Sequence, residues 1–112
     1  MQRIHYADGT FVTGDELAEA VVRYARALAR VGTSDTVEVP ILLEEGGFGR
    51  SRLLIGPASQ LVLTPTDADL PELVDPELVA GIDARRLALV PTPLGERRDA
   101  PASERVSLDF EG

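Results

Sequence analysis

The most constraining stretch of this chain is an apolar stripe, Leu17, Val21, Tyr24, Leu28 and Val31, spaced four, three, four and three residues apart. That spacing returns to one side of an α-helix on every turn, so it predicts a single amphipathic helix whose apolar side must be covered. Both ends are marked. Thr13-Gly14-Asp15-Glu16 reads as a capping box with Thr13 as N-cap. Val12 and Leu17 fall where a hydrophobic staple would place them. Asp15, Glu16 and Glu19 occupy the first turns and Arg23, Arg26 and Arg30 the later ones, in accord with the helix dipole. Gly32 follows as the stop.

The flanking segments supply strands to cover the stripe. Asp8-Gly9 is a two-residue turn signal, and a hairpin over residues 3–13 centred there pairs Tyr6 with Phe11, His5 with Val12 and Ile4 with Thr13. Tyr6, Phe11 and Ile4 then share the core face and His5 lies on the other. Over residues 36–44 the period falls to two, with Val37, Val39, Ile41 and Leu43 on one side. Pro40 cannot donate a ladder hydrogen bond, which points to an edge strand or a bulge. A turn over residues 45–49 would pair Leu43 with Ser51, Ile41 with Leu53 and Val39 with Ile55, and set Glu44 opposite Arg50. Gly56-Pro57-Ala58-Ser59 turns the chain again into a third strand over residues 60–64.

An acidic loop over residues 65–71 leads to Asp75-Pro76-Glu77, a helix start with Asp as N-cap and Pro at the first position. Leu78, Val79 and Ile82 give this helix a short apolar face, which Gly81 weakens. Residues 87–90 read as a short closing strand. The fold expected is α+β: a small antiparallel sheet in the order ββαβββα, with that closing strand in addition, and one long amphipathic helix across one face. Residues 1–93 form the single domain. Residues 94–112 are expected to be a flexible or edge-adding tail, because Val106, Leu108 and Phe110 alternate in strand fashion.

The residue inventory excludes most chemistry. The chain has 112 residues with no Cys, no Trp, one His and no Lys, all 11 basic residues being Arg. Without Lys there is no Schiff-base amine and no P-loop lysine. Without Cys there is no thiol nucleophile or cysteine-ligated metal. His5, the sole imidazole, has neither a carboxylate orienter nor a nucleophile in its predicted hairpin. No cofactor and no metal are expected, and the inventory argues against an enzyme. No apolar run approaches the roughly 20 residues needed to cross a bilayer, and the first residues lack the apolar stretch of a secretory signal, so a cytoplasmic protein without a membrane partner is expected. The net charge of −8 disfavours nucleic acid.

Two candidate surfaces remain. Arg23, Arg26 and Arg30 line one side of the main helix, while Asp67, Asp69 and Glu72 belong to an acidic belt between Arg52 and Arg85 that holds no basic residue. Either can be plain solvated surface, or the two can meet between copies of the chain. The loop Gly46, Gly47, Gly49 and Arg50 is the only segment with the composition of a phosphate cradle. It lacks the Lys and the following helix that such a cradle uses.

The order of short signatures resembles a family. Ile4-x-Tyr6, Asp15 with Leu17-Ala18, Gly49-Arg50 leading into Leu53-x-Ile55-x-Pro57, Leu61, and Leu87-x-Leu89-Val90-Pro91-x-Pro93 together look like a group of short, uncharacterised actinobacterial proteins, some of which carry a DNA-ligase-like label. The resemblance implies a shared fold and assigns no activity. Ligase chemistry forms its nucleotide adduct on a lysine, and this chain has none. The function expected is a non-enzymatic protein-interaction or regulatory module. It is expected to form a homo-oligomer through Leu42, Leu54 and Val62 on the far side of the sheet, or to take another protein partner. The alternative is a small-ligand or anion-binding protein with a pocket near the Gly46–Gly49 loop.

Overall fold

The computed structural model describes residues 1–7, 9–66 and 71–89. The chain runs β1 (Gln2–Tyr6), β2 (Gly9–Thr13), α1 (Asp15–Val31), β3 (Asp35–Leu42), β4 (Phe48–Ile55), β5 (Leu61–Pro65) and α2 (Pro76–Ala88). Among the described residues the architecture is α+β, five antiparallel strands and two helices in the order ββαβββα. The expected closing strand is absent over Leu87 and Ala88, which extend α2; Val90 and the tail over residues 94–112 lie outside the described residues.

Four of the five residues of the α1 stripe are buried, and Val31 at its C-terminal end is half-buried. Leu17, Val21, Tyr24 and Leu28 are at most 3% exposed, and Ala18 and Ala20 join them. Ala20, Val21, Tyr24 and Leu28 pack with Val37 and Val39 of β3, Leu53 and Ile55 of β4, and Ile82 of α2. Tyr6, Phe11 and Ile41 lie against this core and are only partly buried. Gly32 ends the helix in the left-handed conformation, φ 72°, which places its N–H and that of Thr33 on the last carbonyls.

The start of α1 departs from the capping box. Gly14 is the N-cap and offers no side chain, while Thr13 is the last residue of β2. The Thr13 hydroxyl, fully buried, donates 2.7 Å to the carbonyl of Pro40. A buried hydroxyl must find a partner, and the neighbouring strand supplies one. The open N–H groups of the helix are served from a distant segment: the Asp15 N–H donates to the Glu72 carboxylate. Only glycine permits this approach. A Cβ on Gly14 would stand 1.8 Å from the Leu73 carbonyl oxygen.

Both hairpins keep the predicted faces and change the register. β1 pairs with β2 through Ile4↔Phe11, His5↔Thr10 and Tyr6↔Gly9, two residues away from the expected pairing, with Ala7 turning at φ 53°; Asp8, half of the predicted turn, lies outside the described residues. β3 pairs with β4 through Val37↔Leu53, Val39↔Ser51 and Ile41↔Gly49, a shift of four. The loop is therefore residues 43–47 and not 45–49. The observed register zips eight pairs, from Asp35↔Ile55 to Leu42↔Phe48. The expected one would stop earlier, because Gly56-Pro57 ends β4. An even shift leaves every side chain on its own face, so burial does not resist it.

The strand order is β4-β3-β2-β1-β5, so β5 leaves its sequence neighbour and pairs with β1 through Ile4↔Leu63 and His5↔Val62. β2 and β3 join at one pair, Val12↔Leu42. Beyond that corner β3 has a ladder on its β4 side only. Pro40 is thus not on an outer strand, yet its missing N–H falls where no ladder partner stands. In a flat sheet β1 and β4 would be roughly 14 Å apart, three strand spacings. Yet the Tyr6 hydroxyl on β1 donates to the carbonyl of Leu54 on β4. The sheet bends at the β2–β3 corner until these strands meet, which lets residues 56–60 link β4 to β5.

Candidate functional site

The charged residues of α1 divide by position. Arg23 faces α2 and grips Asp83 with Nε at 3.3 Å and Nη2 at 3.1 Å, and Arg86 adds a third contact at 3.3 Å. The Arg23 guanidinium, then Arg86, holds the Asp83 carboxyl below its ordinary range. Arg23 therefore serves the helix–helix contact instead of an outside partner. Arg26 and Arg30 are exposed and make no ion pair among the described residues.

The acidic belt is likewise drawn inward in part. Glu72 caps α1 through Oε2 and accepts the Met1 ammonium on Oε1 at 2.9 Å, with Asp15 the ammonium's second partner at 2.9 Å. Glu72 and then Asp15 raise the pKa of that ammonium. Asp75 accepts the Leu78 N–H at 3.1 Å and caps α2. Asp67 and Asp69 lie outside the described residues.

A second polar group joins three elements and has no counterpart in the sequence patterns. The Tyr24 hydroxyl donates to Asp35 at 2.6 Å, and Arg85 Nη1 donates to the same oxygen at 2.9 Å and to the Thr36 carbonyl at 3.2 Å. The Tyr24 hydrogen bond, the Thr36 N–H and Arg85 draw the Asp35 carboxyl down, while burial, followed by the Asp35 contact, raises the Tyr24 phenol. The trio ties α1, β3 and α2. No periodicity relates positions 24, 35 and 85, so only an acid at a strand start and an Arg in a last helical turn hinted at it.

The Gly46–Gly49 loop is a tight turn. The Leu43 N–H donates to Gly47 and the Gly46 N–H to Leu43, with Gly46 at φ 94°. Gly49 lies in β4 beneath the Leu43 side chain, and Arg50 stands 3.8 Å from Glu38 in place of the expected Glu44. A cleft of about 390 Å³ beside the turn is lined by Arg3, Phe11, Leu43, Glu44 and Glu45. Its two carboxylates suit no anion, and Gly46, Gly47, Gly49 and Arg50 line neither described cleft.

The larger cleft, about 730 Å³, lies at the other end of β4, where the β1 end, the α1 exit and the β4–β5 connector converge. Its walls include His5, Leu54, Pro57, Ser59, Gln60 and Val62. The volume is in the range of small-molecule sites. The chemistry is spare: the described lining residues include no carboxylate, Arg or Lys. His5 Nε2 lies 3.3 Å from the Thr64 hydroxyl, and the Ser59 hydroxyl accepts the Gly56 N–H at 3.0 Å. Among the described residues no group of three His or acidic side chains is placed to hold a metal. No described helix is long and apolar enough to cross a membrane.

The outward face of the β3–β4 ribbon has a different character. Across it stand Leu42↔Phe48, Pro40↔Arg50, Glu38↔Arg52 and Thr36↔Leu54. Phe48 and Leu54 are 61% and 60% exposed. Apolar groups occupy both ends of this strip and charges of both signs its middle. No protein-family model, curated protein or solved structure matches the chain.

Proposed function

We propose that this protein is a non-enzymatic interaction module that self-associates through the outward face of β3–β4. The observation that carries this reading is the exposure of Phe48 and Leu54 at the two ends of a strip with Glu38, Arg50 and Arg52 between them. Large apolar side chains grouped on one sheet face gain by being covered. A strip with both charge signs is self-complementary under a two-fold axis, since Glu38 of one copy can meet Arg50 or Arg52 of the other. The polar chemistry elsewhere favours the same reading: Arg23, Asp83, Asp35, Arg85 and Glu72 are spent on holding the fold.

Sedimentation equilibrium over a wide concentration range tests it. The wild-type chain should show a monomer–dimer equilibrium that weakens with added salt, and Phe48→Glu should leave a folded monomer. A wild-type chain that is monomeric at every concentration would sink the reading.

A further inference from the structure

The outer edge of β4 is open, and the contacts of β3 show which of its backbone groups face outward. The Thr13 hydroxyl and Arg85 reach the carbonyls of Pro40 and Thr36 from the side of β3 away from β4. Backbone direction alternates along a strand, so Asp35, Val37, Val39 and Ile41 turn toward β4 and meet Ile55, Leu53, Ser51 and Gly49. That leaves Phe48, Arg50, Arg52 and Leu54 with N–H and C=O directed to the outer edge. Leu54 agrees, because its carbonyl accepts the Tyr6 hydroxyl. β4 ends the strand order, and among the described residues no backbone hydrogen bond outside the β3 ladder reaches Phe48, Arg50 or Arg52.

This edge is long and regular. Its strand pairs with β3 through eight consecutive residues without a bulge, and it contains no proline. Such an edge is a template for another strand. Its side chains decide which one. The charges of β4 are Arg50 and Arg52, both exposed and both on the outward face, while Gly49 and Ser51 on the other face are small. An added strand would set its residues opposite Arg50 and Arg52 at roughly 5 Å, where an acidic partner stabilises and a basic one does not. That distance is inside the screening length of roughly 8 Å, so these two arginines outweigh the net charge of −8 spread over the chain. The same rule disfavours a second copy: antiparallel pairing of β4 with β4 about Arg50, Ser51 or Arg52 sets arginine opposite arginine.

We infer that the outer edge of β4 takes an extended acidic segment of another protein by strand addition, with carboxylates opposite Arg50 and Arg52 and small or apolar residues beside Gly49 and Ser51. The contact spans residues 48–52, because the Leu54 carbonyl is already taken by Tyr6 and ends it. The Arg50–Glu38 pair, 3.8 Å apart with both side chains exposed, is weak enough to be exchanged. Arg50 and Arg52 also belong to the strip proposed above for self-association. An acidic segment and a second copy therefore compete for them, and that competition rests on the self-association reading. The strand addition itself stands without a dimer.

Solvent-exchange NMR on the full-length chain tests it, with an end-blocked peptide alternating Glu and Val as the probe. At saturation the peptide should slow amide exchange at Arg50 and Arg52 at least about tenfold. Gly49 and Ser51, already in the β3 ladder, should change little. Leu54→Ser, which trims the dimer strip and spares the edge, should give the same alternating pattern. Arg50→Glu with Arg52→Glu should lose it, and should show it instead with a peptide alternating Lys and Val. Unchanged exchange at Arg50 and Arg52 in the wild-type chain would overturn the proposal, as would equal protection there by the Glu and Lys peptides. Protection lost in Leu54→Ser would assign the effect to the dimer and overturn it too. A wild-type chain that is monomeric throughout yet shows the alternating protection would remove the self-association reading alone.

Discussion

The Tyr24 hydroxyl on α1 donates a 2.6 Å hydrogen bond to the carboxylate of Asp35 at the first position of β3. Because Arg85 of α2 binds the same oxygen, one carboxylate joins the three elements that enclose the core. Tyr24→Phe keeps the ring and removes only the donor. It should cost about 1.5–3 kcal/mol in urea unfolding, as expected for a hydrogen bond to a charged group. Tyr24→Ala, which also empties core volume, should cost about 3–5 kcal/mol. Equal losses for the two would show that the hydroxyl contributes nothing.

The same carboxylates set the pH dependence. Asp35 and Asp83 have folded-state pKa values below their ordinary 3.8. They bind protons less readily folded than unfolded, so their contribution is full above the unfolded value and is lost as pH falls through the folded ones. Tyr24 is raised above 10.0, so its contribution is full below that value and is lost as pH climbs through the folded pKa. Urea midpoints should therefore form a plateau with an acid and an alkaline limb. Asp83→Asn should flatten the acid limb, and Tyr24→Phe the alkaline one. Parallel profiles for wild type and Asp83→Asn would refute the assignment.

Two glycines should respond in opposite directions to alanine. At Gly14 the new Cβ meets the Leu73 carbonyl oxygen, which is backbone and cannot swing aside. Gly14→Ala should cost about 2–3 kcal/mol and release the residue 71–75 segment, read as faster amide exchange at Asp15. At Gly81, inside α2, nothing lies within 4 Å of the new atom. Gly81→Ala should add about 0.5–1 kcal/mol. Thermal melts of the two variants on one instrument decide the matter.

Glu72 reaches across 57 residues to cap α1. Glu72→Ala should cost about 1 kcal/mol, comparable to loss of a side-chain cap, whereas Thr13→Val should act on the β2–β3 corner through the Pro40 carbonyl. Hydrogen exchange separates them. The first should speed exchange in the opening turn of α1. If Thr13→Val did this instead, the capping box would be restored as the true arrangement.

Local patterns made much of this fold legible. The spacing of Leu17, Val21, Tyr24 and Leu28 located α1, because a helix buries only what its own period brings round. The alternation of Val37, Val39 and Ile41 located β3, and Asp75-Pro76 located the start of α2, where the carboxylate does cap Leu78. Thr13 misled because its hydroxyl had two suitable partners, the N–H groups of a helix start and the carbonyl of a strand, and sequence proximity favoured the nearer. The Arg stripe misled in part because the sequence shows that Arg23 is polar and not that α2 covers it. Ile82, wholly buried, sits in a helix with a weak apolar pattern, so its weight in the core came from α1 and not from its own neighbours.

By itself, the sequence determined the elements up to the start of α2, their faces and the poverty of catalytic chemistry, since each follows from residue type and short-range period. The tertiary structure alone decided the hairpin registers, the transfer of β5 to the side of β1, the Glu72 cap and the Tyr24–Asp35–Arg85 junction. The physical reason is the same in each case. A shift by an even number of residues preserves every buried face, and a carboxylate accepts a donor from any element that reaches it. Local pattern is indifferent among such choices, and only the closing of the whole core selects one.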